Sequence, residues 1–307
     1  GHSGLVGSAL VRRLERGKYT NLLLRSHRDV DLTERDAVHR LFDGERPDVV
    51  FMAAARVGGI LANDRYRGDF IRENLEIQTH MIDAARRFGT KKLVFLGSSC
   101  IYPRLASQPI REESLLTGPL EPTNEAYAVA KIAGITMVRA YRKQFGLRGI
   151  CLMPTNLYGP GDNFDLETSH VLAALLRRVH EAKRDGLREV VIWGSGEPRR
   201  EFLHVDDLAD ACVFLAETYD SDALVNIGVG DDISIRELAT TICEVVGYQG
   251  ALRFDTTRPD GTPRKLLDVT RLRELGWRAS TPLRKGLEAT YAWYLEAQAS
   301  RVLAAAT

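Results

Sequence analysis

The chain has 307 residues, which is enough to bury one large core or two modest ones. Its 42 Lys and Arg residues nearly balance its 41 Asp and Glu residues, so no overall charge excess points to nucleic acid or to an anionic lipid surface. No apolar run approaches the ~18 residues that a membrane span requires. We therefore expect a soluble, cytoplasmic protein with neither a nucleic-acid partner nor a membrane partner.

The chain opens on a glycine-rich segment, Gly1-His2-Ser3-Gly4-Leu5-Val6-Gly7, that leads directly into a helical pattern ending at Arg16. Glycines at this spacing let the backbone approach a pyrophosphate at the positive end of a helix. We therefore expect a dinucleotide to bind at Gly1, Gly4, Leu5, Val6 and Gly7. Such a loop normally follows the central strand of a sheet, whose loss would leave backbone groups unpaired. We accordingly expect a strand to precede Gly1 in the complete protein, and a chain extended by it to be more stable.

The next apolar run, from Thr20 to Arg25, predicts a strand. An acidic residue at the end of this strand would favour the ribose 2′-hydroxyl of NAD, but the chain has Arg25-Ser26-His27-Arg28 there. Basic and hydroxyl side chains suit a 2′-phosphate, so we expect Arg25 and Arg28 to bind NADP(H). The alternative interpretation is a solvated, charged turn.

Strand and helix patterns alternate through the first 160 residues, which is typical of an α/β, Rossmann-type doubly wound parallel sheet. We expect an NADP-binding domain over 1–160 and, mainly, a smaller C-terminal substrate-binding lobe over 161–307, with segments near 200–228 returning to the first domain. The predicted strands cover 48–54, 92–97, 149–153 and 156–160. The predicted helices start at Thr33 as N-cap and cover 69–88, 124–145, 168–185, 206–218, 234–246 and 282–299.

Tyr127 and Lys131 lie four residues apart and share one face of the predicted helix 124–145. The ammonium is expected to lower the pKa of the phenol and to make Tyr127 a proton donor. Ser98, at the end of a predicted buried strand, adds a hydroxyl, and the three groups together predict carbonyl reduction. Cys100 adds a titratable thiol that a plain reductase does not need, which indicates a second proton-transfer step.

The other cysteines, Cys151, Cys212 and Cys243, lie in apolar runs without paired spacing. A free cysteine in such a run is usually a small buried side chain, and this usage fits a reducing cytosol. His204, Asp206 and Asp207 lack a convincing ligand spacing, so we expect no metal. The acidic pair is better interpreted as the N-cap of a helix.

These motifs resemble the extended short-chain dehydrogenase/reductase family over essentially the whole chain. Within it, the resemblance is closest to the 3,5-epimerase/4-reductases of GDP-4-keto-6-deoxy-D-mannose. The motifs that carry it are Gly-His-x-Gly-x-Val-Gly at 1–7, Gly-Ser-Ser-Cys-Ile-Tyr-Pro at 97–103, Asn-Glu-Ala-Tyr-Ala-Val-Ala-Lys at 124–131, Pro-Thr-Asn-Leu-Tyr-Gly-Pro at 154–160, Arg-Glu-Phe-Leu-His-Val-Asp-Asp at 200–207, and Pro-Asp-Gly-Thr-Pro-Arg-Lys at 259–265.

The resemblance implies a reductase triad of Ser98, Tyr127 and Lys131, an epimerase acid/base pair of Cys100 and His170, and NADP(H) as the cofactor. It also implies a homodimer that pairs through the helices near 69–88 and 124–145. Ser3 departs from the family pattern, in which many members carry an arginine near the 2′-phosphate. Further contacts are expected from Tyr127, Lys131, Asn156 and His170 to the cofactor, and from Arg178, Trp193, Arg200 and Lys265 to the substrate.

A ketone at C4 of the sugar acidifies the hydrogens on C3 and C5. Cysteine and histidine have reference pKa values of about 8.5 and 6.5, close enough to neutrality to take and return protons. We expect Cys100 to act as the base and His170 as the acid, although sequence does not order them. Without the resemblance, His170 would be an ordinary residue at a helix start, and Arg178 part of a solvated helix face.

Three other functions compete with this interpretation. A 4,6-dehydratase would need an Asp-Glu pair near the position of Cys100, which this chain lacks. A 4-epimerase or 4-reductase on the same scaffold would not need Cys100 and His170 as a pair. A non-catalytic NADP-binding protein would need none of Ser98, Tyr127 and Lys131.

Overall fold

The computed structural model describes residues 1–166, 168–258 and 260–305. Its helices are α1 (Leu5–Arg16), α2 (Arg35–Glu45), α3 (Ile60–Arg65), α4 (Arg67–Arg87), α5 (Glu125–Phe145), α6 (Val171–Arg184), α7 (Val205–Thr218), α8 (Ile235–Val246), α9 (Thr270–Glu274) and α10 (Leu283–Ala305). Its strands are β1 (Val49–Met52), β2 (Lys92–Leu96), β3 (Gly149–Pro154), β4 (Asn156–Tyr158), β5 (Glu189–Trp193), β6 (Arg199–Arg200), β7 (Phe202–His204), β8 (Val225–Ile227), β9 (Ile233–Ser234), β10 (Ala251–Asp255) and β11 (Arg264–Lys265).

The main sheet is parallel, with the strand order β1-β2-β3-β8. Successive side chains of a strand face opposite sides, and β2 shows how each side is covered. Leu93 and Phe95 belong to a core that also contains residues of α2, α4 and α5. Val94 and Leu96 belong to a second core that contains residues of α1 and α7. Helices therefore cover both faces, and the predicted doubly wound α/β fold is confirmed.

A third core lies mainly beyond residue 160, with Tyr158 of β4 also among its buried residues. It joins α6, α8 and α10 to β5, with Leu176, Val190 and Ile242 among its buried residues. Three small sheets of the described residues accompany it: β5 with β10, β4 with β7, and a three-stranded sheet with the order β11-β6-β9. The chain also returns to the main sheet, because β8 pairs with β3 and α7 packs on α1.

The prediction of a strand at residues 20–25 is wrong. The structure has no strand there, and none of the ladders among the described residues includes this segment. An apolar run becomes a strand only when a neighbouring strand offers backbone hydrogen-bond partners, and that condition cannot be seen in the run itself.

Several helix boundaries also differ from the predictions. The N-cap of α2 is Glu34 rather than Thr33, whose hydroxyl donates to Asp31 Oδ1 at 2.7 Å. Helix α6 begins at Val171 with His170 as N-cap, so the turn predicted as helix from residue 168 precedes it, and Glu167 lies outside the described residues. The short helices α3 and α9 were not predicted.

The acidic pair after His204 lies in the first turn of α7, while His204 itself is the N-cap and accepts from the Asp206 amide at 3.3 Å. The N-cap prediction is therefore displaced by two residues, although both carboxylates do lie at the positive end of the helix. Asp207 accepts hydrogen bonds from Ser280 and Thr281.

Among the described residues, no group of three or more His, Cys, Asp or Glu side chains is arranged to hold a metal ion. In the same part of the chain, no helix is long and apolar enough to cross a membrane.

Candidate active site

The site begins at the carboxyl end of β2, the edge of a parallel sheet where ligands bind. Leu96 ends this strand, and a single 3₁₀ turn at Ser99–Ile101 follows. Ser98 caps that turn, its Oγ accepting from the Cys100 amide at 3.2 Å. The cap presents the Ser98 hydroxyl and the Cys100 thiol at the same sheet edge. Cys100 is partly accessible, whereas the thiols of the other three cysteines are buried as predicted.

Helix α5 brings Tyr127 and Lys131 to this edge. The buried Lys131 ammonium donates to the Leu96 carbonyl at 2.9 Å and lies 5.8 Å from the centroid of the Tyr127 ring. The Ser98 hydroxyl forms a hydrogen bond with the Tyr127 phenol. Ser98, Tyr127 and Lys131, separated by up to 33 positions in the chain, therefore meet as the sequence predicts.

The expected effect of the ammonium on Tyr127 does not appear in this structure. Burial raises the pKa of the phenol, the Cys100 thiol raises it further, and the hydrogen bond with Ser98 lowers it. Burial also lowers the pKa of Lys131 to about 8. Desolvation disfavours the charged form of both groups, and it outweighs their mutual effect here. The phenol is consequently protonated at neutral pH and carries a proton to donate.

His170 reaches the same region from the second lobe. Although it is the N-cap of α6, its side chain makes no capping hydrogen bond, which argues against a purely local role. The preceding turn is held by a hydrogen bond from the Gly59 amide to the Thr168 carbonyl, 2.8 Å long. A Cβ on Gly59 would lie 2.6 Å from the Ser169 carbonyl oxygen, so only glycine permits this approach. Desolvation by the surrounding protein, and then the Lys265 ammonium, lower the pKa of the His170 imidazole.

Lys265 joins the thiol to a row of basic side chains. Its Nζ donates to Cys100 Sγ at 3.6 Å, and in the register of β11 with β6 it pairs with Arg200. Arg200 lies beside Gly261 and interacts with the Asp260 carboxylate. Burial lowers the pKa of this guanidinium, which nevertheless stays charged.

The row ends at an exposed aromatic residue. Asp260 accepts hydrogen bonds from the Ser195 amide at 2.9 Å and from the Ser195 hydroxyl at 2.7 Å. Ser195 follows Trp193 by two positions, so these bonds hold Asp260 near the tryptophan. Trp193 is 51% exposed, with Arg178 5.5 Å and Arg258 5.1 Å from its ring centroid. An open aromatic face among cations suits a base or sugar that carries phosphates.

The glycine loop has the geometry expected of a phosphate cradle. Gly1 lies so close to the end of β1 that a Cβ would be 2.6 Å from the Ala53 carbonyl oxygen, and a Cβ on Gly7 would overlap the Gly1 carbonyl. Gly4 is the N-cap of helix α1 and makes no side-chain capping bond, which leaves the positive end of the helix to a ligand. Gly1, Gly4, Leu5, Val6 and Gly7 therefore fit a dinucleotide.

Residues predicted to hold the 2′-phosphate are engaged in other contacts or exposed. Arg25 forms an ion pair with Glu45 at 2.5 Å, and its carbonyl hydrogen-bonds His2 Nδ1 at 3.1 Å. Arg28 is exposed. Asn156 donates to the Glu201 carbonyl at 2.8 Å, which ties β4 to β7. Cofactor contacts by Arg25, Arg28 and Asn156 therefore remain predictions.

Comparisons with known proteins bear on this arrangement. The NAD dependent epimerase/dehydratase family matches residues 1–228. The chain belongs to this family. It is 59% identical over 296 residues to GDP-L-fucose synthase 1 of Arabidopsis thaliana, covering 96% of this chain and 92% of that protein. It is 53% identical over 307 residues to GDP-L-fucose synthase of Escherichia coli (strain K12), with 97% and 96% covered.

A solved structure of a GDP-L-fucose synthetase from Naegleria fowleri bound to NADP superposes with a TM-score of 0.91 at 29% identity, covering 97% of this chain and 93% of that one. The family resemblance inferred from the motifs is thus confirmed.

Sequence reasoning nevertheless missed two features of the site in this epimerase/dehydratase family member. The first is Arg258, which lies beside Trp193. It stands one residue before the last motif, and this position is the signal in the sequence that could have pointed to it. The contact of Lys265 with Cys100 spans 165 positions and has no local signature.

Proposed function

We propose that the chain is a GDP-L-fucose synthase, which inverts C3 and C5 of GDP-4-keto-6-deoxy-D-mannose and then reduces its C4 ketone with NADPH. The observation that carries this proposal is the Cys100 thiol beside the Lys265 ammonium, on the same turn as Ser98 and next to Tyr127. A site for reduction alone needs no such thiol. The names of the relatives that match almost the whole chain support the same activity.

In the epimerisation, the Cys100 thiolate takes a proton from the carbon beside the ketone. The C–H electron pair moves onto the C4 oxygen, and His170 returns a proton to the opposite face. The lowered pKa of His170 means that its ring must acquire a proton before it can act as the acid. Arg178, Trp193 and Arg200 hold the nucleotide end of the substrate.

In the reduction, Ser98 orients the C4 oxygen and Tyr127 donates its proton to it. Lys131, held by the Leu96 carbonyl, provides positive charge beside the phenol and a donor for the nicotinamide ribose. NADPH, when bound in the glycine cradle, supplies the hydride. We expect Arg25 and Arg28 to contact its 2′-phosphate.

Organisation and location follow from the same proposal. We assign residues 1–160 to the cofactor domain and 161–307 mainly to the substrate lobe, with 200–228 returning to the cofactor domain, as the place of β8 in the main sheet supports. Leu272 and Trp277 also pack in the core of α1 and α7, so part of the chain after residue 265 belongs there too. We place the protein in the cytoplasm, where a thiol stays reduced, and propose a homodimer through α4 and α5.

Purified protein incubated with NADPH and GDP-4-keto-6-deoxy-D-mannose in deuterium oxide tests the proposal. We expect NADPH oxidation, and NMR of the product should show deuterium at both C3 and C5. Oxidation without deuterium would replace the proposal by a plain 4-reductase. NADPH binding without oxidation would indicate a non-catalytic binding protein and would also overturn it.

The reduction should depend on pH through Lys131. With a pre-epimerised ketone as substrate, kcat/KM should fall as pH rises through about 8, because the ammonium loses its proton there. In a Lys131→Arg variant the guanidinium stays charged, so this decline should move to higher pH whatever the residual rate. A decline at the same pH in both proteins would assign it to another group.

A further inference from the structure

Lys265 was expected to bind substrate, but its ammonium lies against the thiol. The backbone that follows it is tied to the segment after Cys100. The Leu266 amide donates to Gln108 Oε1 at 2.9 Å, and the Ile110 amide donates to the Leu266 carbonyl at 2.8 Å. Glu201, which is fully buried, accepts from the Leu267 amide at 3.1 Å. The backbone directly after Lys265 is therefore held by Gln108 and Ile110 and by Glu201.

We propose that Lys265 is a catalytic residue of the epimerisation, whose ammonium stabilises the Cys100 thiolate and so prepares the base before substrate binds. This inference rests on the proposed function. Lys265 takes part in no proton transfer and contributes charge only. As Cys100 Sγ gains the substrate proton, the S–H bond forms, the C–H bond breaks and the negative charge passes to the C4 oxygen.

The groups that face the thiol favour this role. Ser98 on the same turn is uncharged, and the Tyr127 phenol from α5 is neutral at ordinary pH because burial raises its pKa. His170, from the turn before α6, is a neutral ring beside the Lys265 charge. Lys131 is buried near the Tyr127 ring and donates its hydrogen bond to the Leu96 carbonyl. Among these groups, Lys265 is the cation whose hydrogen bond reaches the sulfur.

A contact to the substrate diphosphate is the competing role. Lys265 pairs in register with Arg200, and cross-strand partners share one face of a sheet, so a phosphate held by Arg200 would lie within reach. A thiol contact acts in the free enzyme, whereas a diphosphate contact acts only after substrate binds. The reactivity of Cys100 without substrate therefore separates the two roles.

The experiment measures the alkylation rate of Cys100 by iodoacetamide against pH, in the free protein, by mass spectrometry of the peptide that contains it. The thiolate is the reactive form. In Lys265→Met, the alkylation rate at neutral pH should fall by about tenfold or more, because the thiolate loses the adjacent opposite charge. Lys265→Gln repeats the test should the methionine variant fail to fold, and Lys265→Arg should keep the wild-type profile.

Arg264→Gln is the matched control, because it removes the neighbouring cation, which faces Asp232 rather than the thiol. Its profile should not change, and Arg199 remains to pair with Asp232. An unchanged profile in Lys265→Met and Lys265→Gln would overturn the inference and leave the diphosphate role. A shifted profile in a protein that fails to process the GDP-sugar would reject the proposed function but not the coupling of Lys265 to the thiol.

In turnover, Lys265→Met should slow deuterium exchange at C3 and C5 at neutral pH and recover part of the loss at higher pH, where the thiol ionises unaided. Reduction of a pre-epimerised ketone at saturating substrate should be retained. Equal loss of both reactions at every pH would also contradict the inference, since it would indicate a general structural role.

Discussion

Tyr127→Phe should lower the rate of ketone reduction by about 10²–10⁴-fold, the usual contribution of a positioned general acid. The change removes one hydroxyl and keeps the ring that packs edge-on against Phe70, with centroids 6.5 Å apart, so the fold should persist. Exchange at C3 and C5 should continue, because Cys100 and His170 remain. The measurement is single-turnover NADPH oxidation together with deuterium incorporation in the same sample.

Tyr141→Phe is the control for this variant. Tyr141 lies on the same helix, but its hydroxyl donates to Asp83 at 3.3 Å, away from the site. It should reduce the ketone at the wild-type rate. A Tyr127→Phe enzyme that reduces normally would exclude the phenol as proton donor and leave Ser98 or solvent in that role.

Cys100→Ser should abolish measurable solvent exchange at C3 and C5 while the protein still reduces a pre-epimerised ketone. A serine hydroxyl has the shape of the thiol but does not ionise near neutrality, so it supplies no base. The cap joins the Ser98 hydroxyl to the backbone amide of residue 100 and does not involve the residue-100 side chain, so it should be preserved in the variant. NMR of the sugar in deuterium oxide and NADPH oxidation with the pre-epimerised ketone measure the two steps separately.

Cys243→Ser provides the matched control, since this thiol lies in α8 within the core of the second lobe and belongs to no part of the site. It should cost some stability but leave the ratio of exchange to reduction unchanged. Loss of both reactions to the same extent in Cys100→Ser would contradict the division of labour between thiol and phenol. Exchange that persists would assign the base role to His170.

The sheet and its helices could be predicted because their signals are local. The buried runs that became β1, β2 and β3 are continuous and apolar, and the long helices α4 and α5 start and end within two residues of their predicted bounds. The run at 20–25 failed because strand formation depends on a partner elsewhere. Helix α3 is too short to show a clear period, and its N-terminus at Gly59 is set by contact with the turn before His170.

For the site, the sequence by itself determined the identity of the chemical groups: the Tyr127/Lys131 pair at helical spacing, the Ser98 and Cys100 side chains after a buried strand, and a glycine loop opening a helix. Only the tertiary structure decided what surrounds them. Burial reverses the expected direction of the Tyr127 pKa, and it depends on how α5 packs against β2. The Lys265 ammonium meets the Cys100 thiol because β11 is joined both to β6 and to the segment after the thiol. Spacing along a chain specifies neighbours within one helix or strand, whereas electrostatics and desolvation depend on every element that packs around a group.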